Sequence, residues 1–285
     1  MRERFEKYIN KKFKSVRSTK EVRELKEEIV NDLMEKSKTL KNKNDDEKYE
    51  ICIDSLGDLY YLIKEYRKEN NKLEKKIDLP KYKLGEELIN AISHGVGVLL
   101  SIAALVLCII KADSGIGLFS AIIYGISSIV LYLMSCLYHS FKPNNAKRVF
   151  RIFDHCSIFL LIAGTYTPFV LLVLPSNIGW LIFAFVWICA IIGIILNSID
   201  LKKYKKISMF LYLLMGWCII FGFKPLWKNM NHFGILLLLI GGILYTLGAI
   251  IYGVGKKKRY MHSVFHIFCI LASVCFFLAI FLYAL

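Results

Sequence analysis

The amino-acid sequence predicts an all-α membrane protein, in which a small soluble helical module precedes a seven-transmembrane helix bundle. The chain of 285 residues is 56% hydrophobic, and its mean hydropathy is +0.48. Several apolar runs of about 18 or more residues follow the first 88 residues, and each is long enough to cross a bilayer. The first 87 residues are polar and charged, and we expect no signal peptide there.

The soluble part is predicted to occupy residues 1–83, as a cytoplasmic helical module and a charged linker. Apolar residues recur at helical spacing from Val22 to Leu33, and a second helix is expected from about Glu47. The charged stretch from Arg67 to Lys83 is interpreted as the linker. Residues 84–285 are predicted to form the membrane domain.

Seven membrane spans are predicted in that domain and are numbered here in chain order. Their expected ranges are about Ile89–Ile110, Ile116–Tyr138, Ile152–Leu174, Ile178–Leu196, Ile207–Phe223, Phe233–Val254 and Met261–Leu285. Glycines in span six are interpreted as helix-packing positions rather than a ligand site, namely Gly241, Gly242 and Gly248.

The charges of the connections predict the orientation of the bundle. The connections after spans two, four and six hold twelve basic residues, namely Lys142, Lys147, Arg148, Arg151, Lys202, Lys203, Lys205, Lys206, Lys256, Lys257, Lys258 and Arg259. The other three connections hold Lys111, Lys224 and Lys228. Because cytoplasmic loops are enriched in Lys and Arg, this bias predicts a cytoplasmic N-terminus and an outside C-terminus. We expect a multi-pass protein of a bacterial plasma membrane.

The placement of the net charge of +15 argues against a nucleic-acid-binding protein, and the placement of the eight cysteines argues against a disulfide-rich protein. Residues 1–87 hold 23 Lys+Arg and 20 Asp+Glu, so the surplus belongs to the membrane half, where it meets anionic lipid. We therefore expect no nucleic-acid partner. The cysteines are scattered, mostly within spans, and none forms a CxxC motif. They are interpreted as small apolar packing residues.

Four ionisable residues from three spans fall at the same predicted depth. His139 ends span two, Asp154 begins span three, and His262 and His266 begin span seven. All four lie within roughly 5–10 Å of the inner boundary at 1.5 Å per residue. Ionisable groups at such positions are costly and indicate a functional site. The i, i+4 histidines share one helix face, as two ligands of one metal do.

Three imidazoles with an open fourth position are the ligand pattern of catalytic zinc. Asp154 is then a direct ligand, a group that holds the water, or a base. Ser135, one turn before His139, approaches a substrate carbonyl or orients a ligand. Taken singly, His139 also fits an interfacial histidine, and Asp154 also fits a partner of a nearby cation. From position alone, Ser135, His94 and His155 are interpreted as supporting or packing groups.

Four sequence motifs, in order, carry a resemblance to a known family. They are Glu86-Glu87 with Asn90-Ala91-Ile92-Ser93-His94-Gly95; Ser135-Cys136-Leu137-Tyr138-His139-Ser140; Phe153-Asp154-His155-Cys156-Ser157-Ile158 with Ala163-Gly164-Thr165-Tyr166-Thr167-Pro168-Phe169; and Met261-His262-Ser263-Val264-Phe265-His266. Over roughly residues 84–285 the chain resembles haemolysin III-type proteins. That family is grouped with the progestin and adiponectin receptors and the alkaline ceramidases.

The resemblance implies a seven-helix fold with a zinc site near the cytoplasmic face. It assigns His139, His262 and His266 to the metal, and it matches Asp154 and Ser135 to the family's acid and serine. The first hypothesis is a zinc-dependent hydrolase of a lipid amide or ester in membrane lipid homeostasis, with the substrate entering from the bilayer. The second is a non-enzymatic receptor or membrane-state sensor with structural zinc. The third is a pore-forming cytolysin, which the scarcity of charged residues in the spans disfavours.

Overall fold

The structure is a computed structural model that describes residues 1–16, 18, 20–57, 59–66, 79–80, 82–255 and 258–285. Most of the predicted linker lies outside the described residues, as do Lys256 and Lys257 of the last cationic connection. The described residues are mostly helical, with no strand among them. The chain divides into two compact units, Met1–Leu79 and Pro80–Leu285. The boundary after residue 83 stays a prediction.

The first unit is a small helical module with its own apolar core. Its helices are Arg2–Lys12, Lys20–Thr39 and Asp45–Asp54, and residues 60–66 are also helical. The Asn44 side chain caps the third helix by accepting from the Glu47 backbone N–H, 2.9 Å away. The core brings together apolar residues from all of these helices, including Phe5, Ile9, Val22, Leu33, Cys52 and Ile63.

The prediction of seven membrane spans is confirmed. The structure has seven helices long and apolar enough to cross a membrane, at Leu84–Lys111, Gly115–Ser140, Asn145–Val173, Ser176–Asp200, Lys205–Asn229, His232–Val254 and Met261–Tyr283. These seven helices make the chain a multi-pass membrane protein. The orientation of the bundle stays a prediction from the loop charges.

Spans one and three begin earlier than hydropathy alone predicts, because polar residues cap them. In span one, the Glu86 carboxylate accepts from the Lys83 backbone N–H at 2.9 Å, and the helix starts at Leu84. In span three, Asn144 accepts from the Lys147 backbone N–H at 2.7 Å, and the helix starts at Asn145. These extra turns carry Glu87 and Lys147 into the helices, where both reach the site described below.

The spans form a ring in which packing is uneven. Spans one, two and three pack closely in sequence, and span seven closes the ring against spans one and six. Spans five and six, by contrast, have the sparsest packing of any neighbouring pair among the described residues. A cavity opens inside the ring on this side.

The glycines of span six separate into two roles. Gly241 faces Phe276, because a Cβ placed on Gly241 would lie 2.8 Å from its ring, and Gly248 faces Phe265 and Phe268 at 3.2 Å. The packing prediction for Gly242 was wrong. A Cβ there would meet no described atom within 4 Å, and Gly242 lines the cavity instead.

Local breaks in spans three and five shape the far part of the cavity. Span three passes from α-helix to a π-helical segment, Phe169–Val173, directly after Pro168. Span five contains a 3-10 segment, Cys218–Gly222. The Tyr166 hydroxyl bridges this break by donating to the Gly216 carbonyl at 2.8 Å and accepting from the Ile219 N–H at 3.1 Å. The Gly216 carbonyl and the Ile219 N–H therefore have hydrogen-bond partners inside the membrane, although the α-helix is interrupted there.

Candidate metal centre

Three histidines from two spans converge at one end of the bundle and are called here the histidine cluster. His139 lies at the end of span two, and His262 and His266 occupy the first two turns of span seven. The i, i+4 spacing places His262 and His266 on the same helix face. Side-chain nitrogens from the three residues lie within 4.8 Å of one another. This group could hold a metal ion.

The spacing of the ring nitrogens fits ligands of one ion. The Nε2 atom of His262 lies 3.2 Å from Nε2 of His139 and 3.1 Å from Nε2 of His266. Tetrahedral zinc with bonds of about 2.0–2.1 Å separates neighbouring ligand nitrogens by about 3.3–3.4 Å. His139 and His266 are buried. Imidazole nitrogens suit several transition metals, so the geometry identifies a metal-binding donor set and not the metal.

Glu87 fixes the tautomer of His139. Its Oε2 atom lies 2.6 Å from Nδ1 of His139. Because a carboxylate accepts hydrogen bonds, Nδ1 carries the proton and donates it to Glu87, which leaves the Nε2 lone pair facing the other two rings. Carboxylate partners of this kind orient metal-binding histidines and raise their basicity.

Lys147 balances the charge of Glu87 inside the protein. Its Nζ lies 2.5 Å from Oε1 of Glu87 and donates to the Phe141 carbonyl at 3.0 Å. Only 1% of Lys147 is exposed, so the ion pair is largely removed from water. Loss of either partner would leave an uncompensated buried charge.

Two further polar contacts fix the start of span seven against span one. The Ser263 hydroxyl, next to His262, donates to Oδ1 of Asn90 at 2.6 Å. The Glu86 carboxylate accepts from the Tyr260 backbone N–H at 2.8 Å. Tyr260 has a left-handed backbone conformation with φ of 61°, which is strained for a residue with a side chain. The Glu86 contact holds this turn in place, and the turn sets the position of His262.

Aromatic rings cover the cluster at its outermost histidine. Tyr82 stacks on His262, with ring centroids 5.1 Å apart, and lies edge-on to His139 at 5.6 Å. Tyr252 of span six lies 5.5 Å from His262. Burial, together with the neighbouring Tyr252 and the Asp154 and Glu87 carboxylates, raises the pKa of the Tyr82 phenol well above its ordinary value. Tyr82 therefore shields the site as a neutral ring.

Asp154 and Ser135 lie beside the histidine cluster and not within it. The group of close nitrogens comprises the three histidines and does not include Asp154. The Asp154 carboxylate interacts electrostatically with His139 and His262, and its Oδ2 lies 3.5 Å from Nδ1 of His155. Ser135 is buried close to Asp154, and its hydroxyl makes no hydrogen bond of normal geometry within the described residues. Both side chains line the cavity.

His94 stands next to the cluster as a fourth imidazole. Its ring stacks on His266 with a centroid separation of 3.7 Å and lies edge-on to Tyr132 at 5.0 Å. Neither ring nitrogen has a hydrogen-bond partner among the described residues. Because the two rings are stacked, the nitrogens of His94 lie in a plane nearly parallel to the His266 ring. This arrangement fits a supporting role for His94. His155 instead faces its own helix, with Nδ1 3.0 Å from the Arg151 carbonyl.

The cluster opens onto a cavity of about 430 Å³. All seven spans contribute to its lining, of which span one supplies His94 and span four supplies Asn197, and most of the lining is apolar. Span three contributes lining residues from Arg151 to Phe169, a distance of about 27 Å at 1.5 Å per residue. One leaflet of the hydrocarbon core is roughly 15 Å deep. The cavity is therefore long enough for a lipid acyl chain.

The structure thus brings His262, His266, Asp154 and Ser135 to one cavity, and it places His139 behind them, against His262. Sequence reasoning missed Glu87, Lys147 and Tyr82. The i, i+3 and i, i+7 spacing of Glu87 to Asn90 and His94 was a usable signal, because it places all three on one face of span one. Lys147 carried no such signal, since a lysine in a cationic connection is explained by membrane orientation alone.

Comparisons with known proteins agree on one family. Residues 82–277 match the family model described as haemolysin-III related. The chain is 43% identical over 204 residues to Hemolysin-3 of Bacillus cereus, covering 70% of this chain and 92% of the relative. It is 41% identical over 205 residues to a Hemolysin-3 homologue of Bacillus subtilis (strain 168), covering 71% and 96%. It is 30% identical over 176 residues to the human monocyte to macrophage differentiation factor, covering 58% and 70%.

Proposed function

The chain belongs to the haemolysin III-related family, within the progestin and adiponectin receptor superfamily, and on this premise we propose that it is an intramembrane zinc-dependent lipid hydrolase. It cleaves an amide or ester bond of a membrane lipid and so acts in lipid homeostasis. The observation that carries the proposal is the convergence of three histidines, whose ligand nitrogens lie within 4.8 Å of one another, beside a lipid-sized cavity that Asp154 and Ser135 also line.

His139, His262 and His266 hold the zinc ion in this proposal. Zinc bound by three histidines lowers the pKa of a bound water to about 7 and polarises carbonyl groups. Support for a tight site comes from the Glu87–His139 contact of 2.6 Å, because such a partner holds the proton of the neutral ring on Nδ1 and orients the ring.

Asp154 acts as the base and then as the acid. Its carboxylate accepts a proton from the attacking water as the water oxygen bonds to the lipid carbonyl carbon. The same proton passes to the leaving nitrogen or oxygen as the carbonyl bond to that atom breaks. The products are a fatty acid and an amine or an alcohol. Support comes from the position of Asp154 on the cavity wall, outside the group of close ligand nitrogens.

Ser135 binds the carbonyl oxygen of the substrate. Its hydroxyl is buried, lines the cavity and has no partner of normal geometry in the described structure. A hydroxyl in that state donates to an oxygen whose negative charge grows as the water adds. Tyr82 and Tyr252 exclude bulk water from this step by covering His262.

The substrate enters from the bilayer between spans five and six. This pair has the sparsest packing among the described neighbours, and residues from both spans line the cavity. An acyl chain then occupies the apolar part toward Phe169, while its carbonyl lies beside Ser135. The positive-inside orientation predicts that the cluster lies near the cytoplasmic face.

The proposal is tested by lipid hydrolysis. The purified full-length chain, loaded with zinc, is incubated with mixed bacterial lipids and with a ceramide, and released fatty acid is measured by mass spectrometry. We expect release by the wild type and none above background for His266→Ala or after zinc removal. His232→Ala is the matched control, because His232 stacks on Trp227 away from the cluster, and it retains activity.

A different result would support the sensor hypothesis. Absence of release from a folded, zinc-loaded wild type contradicts the hydrolase. The separate helical unit at Met1–Leu79 is the feature that would then carry an output. Release that persists in His266→Ala would place the chemistry outside the histidine cluster.

A further inference from the structure

We infer that the cavity binds a lipid with a negatively charged headgroup, and that three cations at its rim hold this headgroup. The inference rests on the proposed function, since it names the class of lipid that occupies the same cavity. The cations are Arg151 of span three, Lys202 of the connection between spans four and five, and Lys205 at the start of span five. All three line the cavity that contains His262 and His266, and they are called here the cationic rim.

The cationic rim lies next to the reacting groups. Arg151 is one helical turn before Asp154 on span three, and its charge acts on Tyr82 and Tyr252, the rings that cover His262. Lys205 approaches the same covering ring from span five, with Nζ 5.3 Å from the centroid of Tyr252. Arg151 and Lys205 therefore both approach Tyr252 of span six, the ring that lies beside His262.

Membrane orientation alone does not explain this placement. Loop cations that only set orientation need to lie on the correct side of the membrane and nothing more. Lys203 and Lys206 belong to the same connection and the same turn, but the described cavity lining does not include them. Two lysines of this connection, Lys202 and Lys205, therefore line the cavity. The other two lie at nearly the same depth outside its described lining.

The shape of the cavity selects an amphipathic occupant. Beyond the rim and the cluster, its lining is mostly apolar and extends along span three as far as Phe169. A small free anion would leave that apolar volume without a partner. A lipid fills both regions, because its anionic head lies among the three cations while an acyl chain runs past Ser135 into the apolar part.

Native mass spectrometry of the full-length chain in detergent tests the inference. The probes are phosphatidylglycerol, phosphatidylcholine and diacylglycerol with identical acyl chains, and inorganic phosphate. Each Lys or Arg near a surface strengthens the attraction of an anionic lipid roughly fivefold. We expect Lys202→Gln with Lys205→Gln to weaken phosphatidylglycerol binding by roughly 25-fold and to leave diacylglycerol binding unchanged. Lys203→Gln with Lys206→Gln, the control of equal charge, changes it by less than about threefold.

Other outcomes overturn the inference. Equal weakening by the two double variants would assign the effect to the general field of the loops. Equal binding of phosphatidylglycerol and phosphatidylcholine by the wild type would remove the preference for net negative charge. Inorganic phosphate that binds as tightly as phosphatidylglycerol would make this a site for free phosphate. If a double variant fails to unfold cooperatively on heating, the single variants Lys202→Gln and Lys205→Gln each give about fivefold weakening.

The headgroup site and the hydrolase are separable in the same samples. His266→Ala lacks a member of the histidine cluster but keeps the rim, so it retains the preference for phosphatidylglycerol. A preference that persists without any hydrolysis by the wild type would overturn the proposed function and keep the headgroup site. Hydrolysis by the wild type without a preference for phosphatidylglycerol would overturn the headgroup site and keep the proposed function.

Discussion

Nδ1–H of His139 donates a hydrogen bond to Oε2 of the Glu87 carboxylate across 2.6 Å. This contact joins span one to span two and turns the Nε2 atom of His139 toward His262, 3.2 Å away. A neutral histidine without such a partner distributes its proton between two tautomers, of which only one presents Nε2 as a ligand. Glu87 therefore prepares the cluster for a cation before any cation binds.

Replacement of Glu87 by Gln is expected to lower metal affinity by about 10–100-fold, the range found for partners of metal-binding histidines. It also leaves Lys147 buried without its carboxylate, which we expect to cost about 3–5 kcal/mol of stability. Metal affinity is measured by titration with a fluorescent zinc chelator, and stability by thermal unfolding.

The double variant Glu87→Gln, Lys147→Met separates these two effects. Removal of the unpaired cation should restore most of the stability, while metal affinity stays low because His139 still lacks its carboxylate. Recovery of both quantities together would show that Glu87 acts on the fold alone.

His94 is expected to support the cluster without binding the metal. Its ring stacks on His266 at 3.7 Å, and phenylalanine preserves a stacked ring without nitrogen atoms. His94→Phe should therefore keep about one metal ion per chain by elemental analysis, whereas His266→Phe should lose it. Loss of the metal from His94→Phe, in a chain that still unfolds cooperatively, would add His94 to the ligand set.

Asp154→Asn is expected to retain the metal and to lower the rate of lipid hydrolysis by about 10²–10⁴-fold, the usual contribution of a general acid–base group. Ser135→Ala is expected to lower it by about 10²–10³-fold, as for the loss of one donor to a developing oxyanion. The matched control is Asp200→Asn, because Asp200 accepts from the Lys202 and Lys203 backbone N–H groups and is absent from the described cavity lining. A metal-free Asp154→Asn would instead identify Asp154 as a ligand.

The adjacent glycines of span six test the position of the cavity. Gly241→Ala places a methyl group 2.8 Å from the Phe276 ring, and overpacking of this kind costs about 1–3 kcal/mol. Gly242→Ala points into open space, and alanine favours a helix over glycine by up to about 1 kcal/mol. Thermal unfolding should therefore show a lower Tm for Gly241→Ala and an unchanged or higher Tm for Gly242→Ala. The reverse order would place the cavity on another face of span six.

Much of the fold could be predicted because hydropathy and loop charge act along the chain. Apolar runs long enough to cross a bilayer identified the seven spans, and His139, Asp154 and His266 could be compared in depth once those spans were known. Depth alone does not give rotation about a helix axis. The sequence could not show that Gly242 turns toward a cavity while Gly241 meets Phe276.

The supporting groups of the site were harder to predict for a different physical reason. Lys147 is a connection lysine by hydropathy, but span three begins about two turns earlier than predicted, at the Asn144 cap. The added turns bury Lys147 against Glu87. Tyr82 precedes the first span and contacts His262 across more than half of the chain. Contacts so distant in sequence depend on helix packing, and no local pattern encodes them.

Zinc content measured on the purified full-length chain tests the central claim most directly. Plasma mass spectrometry should find about one zinc ion per chain in the wild type and in the His232→Ala control. It should find almost none in His139→Ala or in the double variant His262→Ala, His266→Ala, each shown to be folded by circular dichroism. A wild type that binds no zinc after equilibration with it, or a double variant that keeps a full equivalent, would contradict the assignment of these three histidines.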